Sequence, residues 1–217
     1  AVDLVNAPKA LLASADMSAP FRQGIVLLFS QNPITSASQI GAMFRFAFNF
    51  NGSVYNQWLA EVKASDMYPL MRESGLYIAD QNAKLSAREE VFLSGLLKKI
   101  PVLKQVQEFG ERAYAGLLNK MRVDAFLAGS QDLANMGIDP KSSQKEYKAW
   151  ANYINNATGR GSLGKFEQAS VALNTAFFSP RMIAARINVF NPYKYYRMPP
   201  HARKMAMKQT ATFIGFS

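Results

Sequence analysis

Apolar residues recur along most of this chain at spacings of three and four, the period of a helix that buries one face. Val102, Val106, Phe109, Ala113, Leu117, Met121 and Phe126 predict the longest helix, from Val102 to about Leu127. Upstream, Ser86-Ala87-Arg88-Glu89 has the form of a capping box leading into Val91, Phe92, Leu96 and Leu97. Pro101 suits the first turn of the following helix, where its missing N–H is not needed. Met136 to Pro140 reads as a loop and Lys145–Ile154 as another helix. Past the glycine-rich stretch Thr158 to Gly164, Phe166, Ala169, Leu173, Ala176 and Phe177 mark a helix that stops near Ser179-Pro180. Pro180 starts one carrying Met182, Ile183, Arg186, Ile187 and Val189. Asn191-Pro192 and Pro199-Pro200 bracket a short aromatic stretch, and a last helix begins at Pro200. No alternation is long enough for a sheet, so the expected fold is all-α: an irregular multi-helix assembly around a long central helix.

Residues 23–60 stand apart, because their only charged residue is Arg45. Ile25-Val26-Leu27-Leu28-Phe29 and Met43-Phe44-Arg45-Phe46-Ala47-Phe48-Asn49-Phe50 are apolar runs, separated by Gln31-Asn32-Pro33. Neither reaches the roughly 20 apolar residues that span a bilayer. The plainer expectation is two helices buried in a core or against another subunit, with Ile25, Leu28, Phe29, Phe44, Phe46, Phe48 and Phe50 as the interface. The sharper one is a segment that meets lipid in another state of the protein.

Charge divides the chain at residue 140. Residues 1–140 form a balanced region with 13 Lys/Arg and 13 Asp/Glu, whereas residues 141–217 hold 12 Lys/Arg against Glu146 and Glu167 alone. The net +10 therefore sits in the second region, which points to an anionic partner, nucleic acid or phospholipid, or to a solvated basic face. At 49% hydrophobic and 18% charged, the chain is too apolar for disorder and too polar for an integral membrane protein. With no cysteine it has no disulfide, thiolate metal site or Cys nucleophile. It opens at Ala1-Val2-Asp3 and closes within the apolar run ending Phe213-Ile214-Gly215-Phe216-Ser217, so both ends are expected to be cuts in a longer polypeptide.

Catalytic patterns are thin. Gly159 to Lys165 has the spacing of a phosphate-binding loop, but Phe166 replaces the magnesium-binding hydroxyl, and Trp150–Asn156 looks helical where a strand is required. A helix–helix connector is the plainer account. His201 is the sole histidine and has no neighbouring carboxylate in sequence, which leaves no histidine-based metal site and suggests an exposed helix start. Glu108 and Arg112, four apart, suit a surface ion pair, and Glu89-Glu90 likewise need no catalytic role. Ser162 to Lys165 fits Ser-x-x-Lys, a spacing common by chance. The sequons at Asn51 and Asn156 matter only in a eukaryotic secretory setting. No cofactor, metal or enzyme activity is expected.

The densest unusual feature is Asn191 to Lys208, where Lys194, Arg197, Arg203, Lys204 and Lys208 interleave with Tyr193, Tyr195 and Tyr196 and no acid intervenes. Cations contact phosphates while tyrosines stack on bases or sit among lipid headgroups. Arg181 and Arg186 extend the patch. The alternative packs the tyrosines on neighbouring helices and leaves the cations in solvent.

The stretch from Tyr153-Ile154-Asn155-Asn156-Ala157-Thr158-Gly159-Arg160-Gly161 to Leu173-Asn174-Thr175-Ala176-Phe177-Phe178-Ser179-Pro180-Arg181 resembles a helical domain of phage large polyvalent proteins. The run from Ala10 to Gly24 is similar to that domain's start, while the middle matches only in helical character. The resemblance implies a very long protein packaged in the virion and delivered with the genome, with enzymes, where present, elsewhere in the chain. It implies no catalytic residues here. The expectation is a structural or interaction fragment of a virion or ejection protein. It would be oligomeric in the virion, with other virion proteins, DNA or the host membrane as partners. Delivery would leave it in the host envelope or cytoplasm. The alternatives are a membrane-active ejection-channel segment and a helical accessory domain of a virion RNA polymerase.

Overall fold

The computed structural model describes residues 19–49, 51–79, 101–161 and 180–216. The described residues form helices and no strand, so the fold is all-α. The helices are α1 (Ala19–Ser30), α2 (Pro33–Phe48), α3 (Ser53–Ala64), α4 (Tyr68–Glu73), α5 (Pro101–Asn135), α6 (Gln144–Ala157), α7 (Pro180–Phe190), α8 (Pro192–Tyr196) and α9 (Pro200–Phe216). Five of them begin on proline, whose fixed φ suits the first helical position. α3 buries Tyr55, Leu59 and Val62, which recur at helical spacing on one face. The expected capping box at 86–89 and helix at 166–177 lie outside the described residues.

The long helix runs eight residues past Leu127. Gly129 and Ser130 look like a stop in sequence, yet both are buried and Leu133 continues the inward face. α5 ends instead at Gly137, with φ of 76°, where the Gly137 and Ile138 N–H groups donate to the Ala134 and Leu133 carbonyls. That is the reversed cap for which glycine is preferred.

The chain forms two compact units, each assembled from separated segments. The first takes residues 1–22, 34–65 and 78–120; the second takes 23–33, 66–77 and 121–217. The charge boundary at residue 140 thus falls within the second unit, in the loop between α5 and α6.

In the first unit, Phe46 of α2 packs on Gly116 of α5 so closely that a Cβ there would lie 3.2 Å from the Phe46 Cβ. The Phe46 ring meets Tyr55 edge-on at 5.4 Å and Trp58 at 5.5 Å. Asn119, fully buried on α5, accepts the Ala79 N–H at 2.9 Å and donates to the Ala79 carbonyl at 2.8 Å and the Tyr55 hydroxyl at 2.6 Å. A buried amide satisfied in this way fixes the chain at Ala79 against the helix. Arg112, read in sequence as one half of a surface ion pair with Glu108, is buried at 6% exposure. The side chain of Glu108 is outside the described residues.

In the second unit, α6 packs against both α7 and α9. Trp150 of α6 lies over Gly129 of α5, where any Cβ would strike its indole, and its Nε1 donates to the Ala125 carbonyl at 3.2 Å. Arg122 is completely buried; its Nε donates to the Thr158 hydroxyl at 2.8 Å, and its guanidinium lies 5.0 Å from the Tyr77 ring centre. A second guanidinium, of Arg160, faces the same ring at 4.0 Å. Arg122 Nη2 also donates to the Thr158 carbonyl at 3.2 Å, and a cation bound to the last residues of α6 is favoured by the helix dipole.

Candidate functional site

The residues proposed to meet an anion lie on α7, α8 and α9, and a chain of hydroxyls holds these helices to α6. Tyr195 of α8 donates its hydroxyl proton to the Val189 carbonyl near the end of α7. A carbonyl only accepts, so the Tyr195 oxygen accepts in turn from the Thr210 hydroxyl of α9, at 2.8 Å. Thr210 then accepts from Tyr153 of α6 at 3.0 Å. Burial pushes the Tyr153 and Tyr195 phenols above their ordinary value, and the hydrogen bonds to Thr210 only partly oppose this. Nearby, the Asn188 amide of α7 donates to the Asn156 side chain of α6 at 2.9 Å.

The first turn of α9 is closed from α6. Glu146, one of the two acids after residue 140, accepts the His201 N–H at 3.2 Å and the Ala202 N–H at 2.6 Å. Its Oε1 also lies 3.0 Å from His201 Nδ1. His201 does sit at a helix start, as expected, but a carboxylate 55 positions upstream joins it. Sequence separation hid that contact. The carboxylate works here as a helix cap, satisfying early N–H groups and facing the positive end of the dipole.

The cations divide into two sets. Lys194, Arg197, Lys204 and Lys208 are exposed, while Arg181, Arg186 and Arg203 are partly covered. Burial lowers the proton affinity of the Arg186 guanidinium. Arg197 lies 5.5 Å from the Tyr193 ring centre. Tyr196 is 78% exposed, whereas Tyr195 is half-buried with its hydroxyl engaged, so of these two only Tyr196 presents its ring outward. Residues 180–217 contain seven Lys/Arg and no Asp/Glu, leaving the outward cations no acidic neighbour in their own segment.

Of the apolar residues on α7, Ile183 and Ile187 are 47% and 61% exposed, while Ala185 and Val189 are buried. The cause is a close backbone crossing: a Cβ on Gly161 would lie 2.7 Å from the Ala185 Cα. Only the small-residue face of α7 fits there.

The low-charge segment is likewise divided. In the first unit Met43, Phe46 and Ala47 are core, but Phe44 and Phe48 are 43% and 60% exposed. Those two rings lie 6.3 Å apart, and Phe48 also contacts Phe109 at 5.2 Å. In the second unit Val26 and Leu27 are fully buried, Ile25 and Leu28 partly so, and Phe29 is 51% exposed. Within this chain each of the two helices buries one stripe and leaves phenylalanine outside. Phe50 lies outside the described residues. Among the described residues, no helix is long and apolar enough to cross a membrane.

The glycine of the candidate phosphate loop serves α6. Gly159 has φ of 77°, and the Gly159 and Arg160 N–H groups donate to the Asn156 and Asn155 carbonyls. The preceding segment is helix, not the strand a phosphate loop follows. Ser162 to Lys165 lie outside the described residues. Asn156, the second sequon, is buried at 7% exposure. A cleft of about 110 Å³ beside Asn152, Asn156, Asn188 and Lys194 has room for only a few water molecules. Among the described residues no group of three or more His, Asp or Glu is placed to hold a metal. Compared with protein-family models, with curated proteins and with solved structures, the chain matches none of them.

Proposed function

We propose that this chain is a structural and interaction module, without catalysis of its own, from a giant phage protein packaged in the virion and delivered with the genome. Its basic third holds an anionic partner, while other virion proteins pack elsewhere on it, in an oligomeric assembly. It would move from the virion to the host envelope or cytoplasm on delivery. The observation that carries the reading is the outward set Lys194, Arg197, Lys204 and Lys208, on helices tied to α6 and in a segment without acids. The resemblance of residues 153–181 to the polyvalent-protein domain supplies the setting. An accessory domain of a virion RNA polymerase would use the same cations and would require acidic catalytic motifs in adjoining sequence.

The test is binding of the purified chain to duplex DNA and to anionic vesicles across a salt series, with Lys194, Arg197, Arg203, Lys204 and Lys208 all changed to Gln for comparison. Five phosphate contacts would give a log–log salt slope of about −4 to −5 on duplex DNA. Loss of binding to either anion in the substituted protein supports the reading. Absence of binding to both at moderate salt would make the patch a solvated surface and leave a protein–protein module.

A further inference from the structure

We infer that α7, α8 and α9 form a docking face for an anionic lipid bilayer surface. The inference rests on the reading that the basic third takes an anionic partner, and it names that partner's class. Ile183, Ile187 and Phe190 follow one another at i, i+4 and i+7, so they share one side of α7, and all three are exposed. Tyr193 and Tyr196 of α8 continue the exposed aromatic series, with Lys194 and Arg197 beside them. Phe190 meets Phe213 at 6.1 Å, which joins the end of α7 to the last turns of α9. Along α9, Lys204 and Lys208 are exposed on one line, with exposed Met207 and Ile214 to one side.

Chemistry selects among the anions. A DNA backbone rewards the cations but leaves the isoleucines in water, and single-strand binding would use tyrosines without needing the aliphatic row. A bilayer surface takes both: apolar side chains enter about 5–10 Å, tyrosines lie at headgroup depth, and lysines and arginines meet lipid phosphates. A second copy of the same face is opposed by charge, since it would bring together two segments of seven cations with no acid between them. This is surface docking; it needs no membrane-crossing helix.

The test is co-sedimentation of the chain with vesicles of phosphatidylglycerol and phosphatidylethanolamine, with phosphatidylcholine vesicles and a 30-base-pair duplex in parallel. Two variants are compared, Ile183→Ser with Ile187→Ser, and Lys194→Gln with Lys204→Gln and Lys208→Gln. Both sets are outward-facing, and helix content by circular dichroism confirms that each folds. The expected result is binding to the anionic vesicles only, weakened about tenfold or more by either variant. Vesicle binding unchanged by the serine pair overturns the docking face. Binding to duplex but not to vesicles also overturns it and leaves the anionic-partner reading standing. Binding to neither removes both.

Discussion

Glu146 and Ala202 are joined across 56 positions of sequence by a 2.6 Å hydrogen bond from the Ala202 N–H to the carboxylate, which closes the first turn of α9. Glu146 is only 6% exposed, so the contact combines capping with a buried charge at the positive end of a helix. Glu146→Ala should therefore cost about 1–2 kcal/mol or more, since it strips a cap and leaves two N–H groups to find other partners. Glu146→Gln keeps the acceptor and should cost less. Urea unfolding of the two variants checks the order, and equal loss in both would mean that shape alone matters.

Gly129 sets two opposing effects against each other. In an exposed helix interior, Gly→Ala stabilises by up to about 1 kcal/mol. Here the added methyl would strike the Trp150 indole and lie 2.8 Å from the Met205 Cε. The clash should win, and Gly129→Ala should lower stability by about 1–3 kcal/mol. Thermal unfolding decides it: a raised melting temperature would show that α5 and α6 are not in this contact.

The faces of α7 make a paired prediction. Ala185→Leu would force a large side chain into the crossing with Gly161 and should cost about 1–3 kcal/mol or more. Ile183→Ser and Ile187→Ser, on the outer side, should each stay within about 0.5 kcal/mol of the parent. A reversed ranking would mean that α7 presents its other face inward.

Alkaline pH should weaken the second unit through Tyr153 and Tyr195. Burial raises both phenols above 10.0, so the folded state holds their protons more tightly than the unfolded chain does. Their contribution is complete below pH 10.0 and is lost as pH rises from there through the folded values. The free energy of unfolding should fall with pH above that point, and Tyr153→Phe should flatten the decline. Unfolding titrations between pH 8 and about 11.5 measure the slope.

Much of the fold was legible because helix formation is local. Pro180 and Pro200 were readable as helix starts, since proline at the first position needs no partner from elsewhere in the chain. The choice of buried face was less legible. Phe46 and Phe48 lie two residues apart in the same apolar run, yet one fills a space left by Gly116 and the other stays outside. Of the candidate anion site, the cations were visible in sequence. The tie of Tyr195 to Val189 and Thr210 was not, and neither was the outward turn of Ile183 and Ile187.

By itself, the sequence determined an all-α fold, with proline marking the start of five described helices and glycine the stops after α5 and α6. It also determined where the charge lies, because a run without Asp or Glu is basic in any conformation. The tertiary structure decided which side of each helix faces in, which cations remain in solvent, and which of two adjacent tyrosines has its hydroxyl tied to neighbouring helices. Those outcomes depend on how closely two backbones approach and on partners 50 or more positions away, as Glu146 and His201 are. Spacing along a single helix carries no record of either.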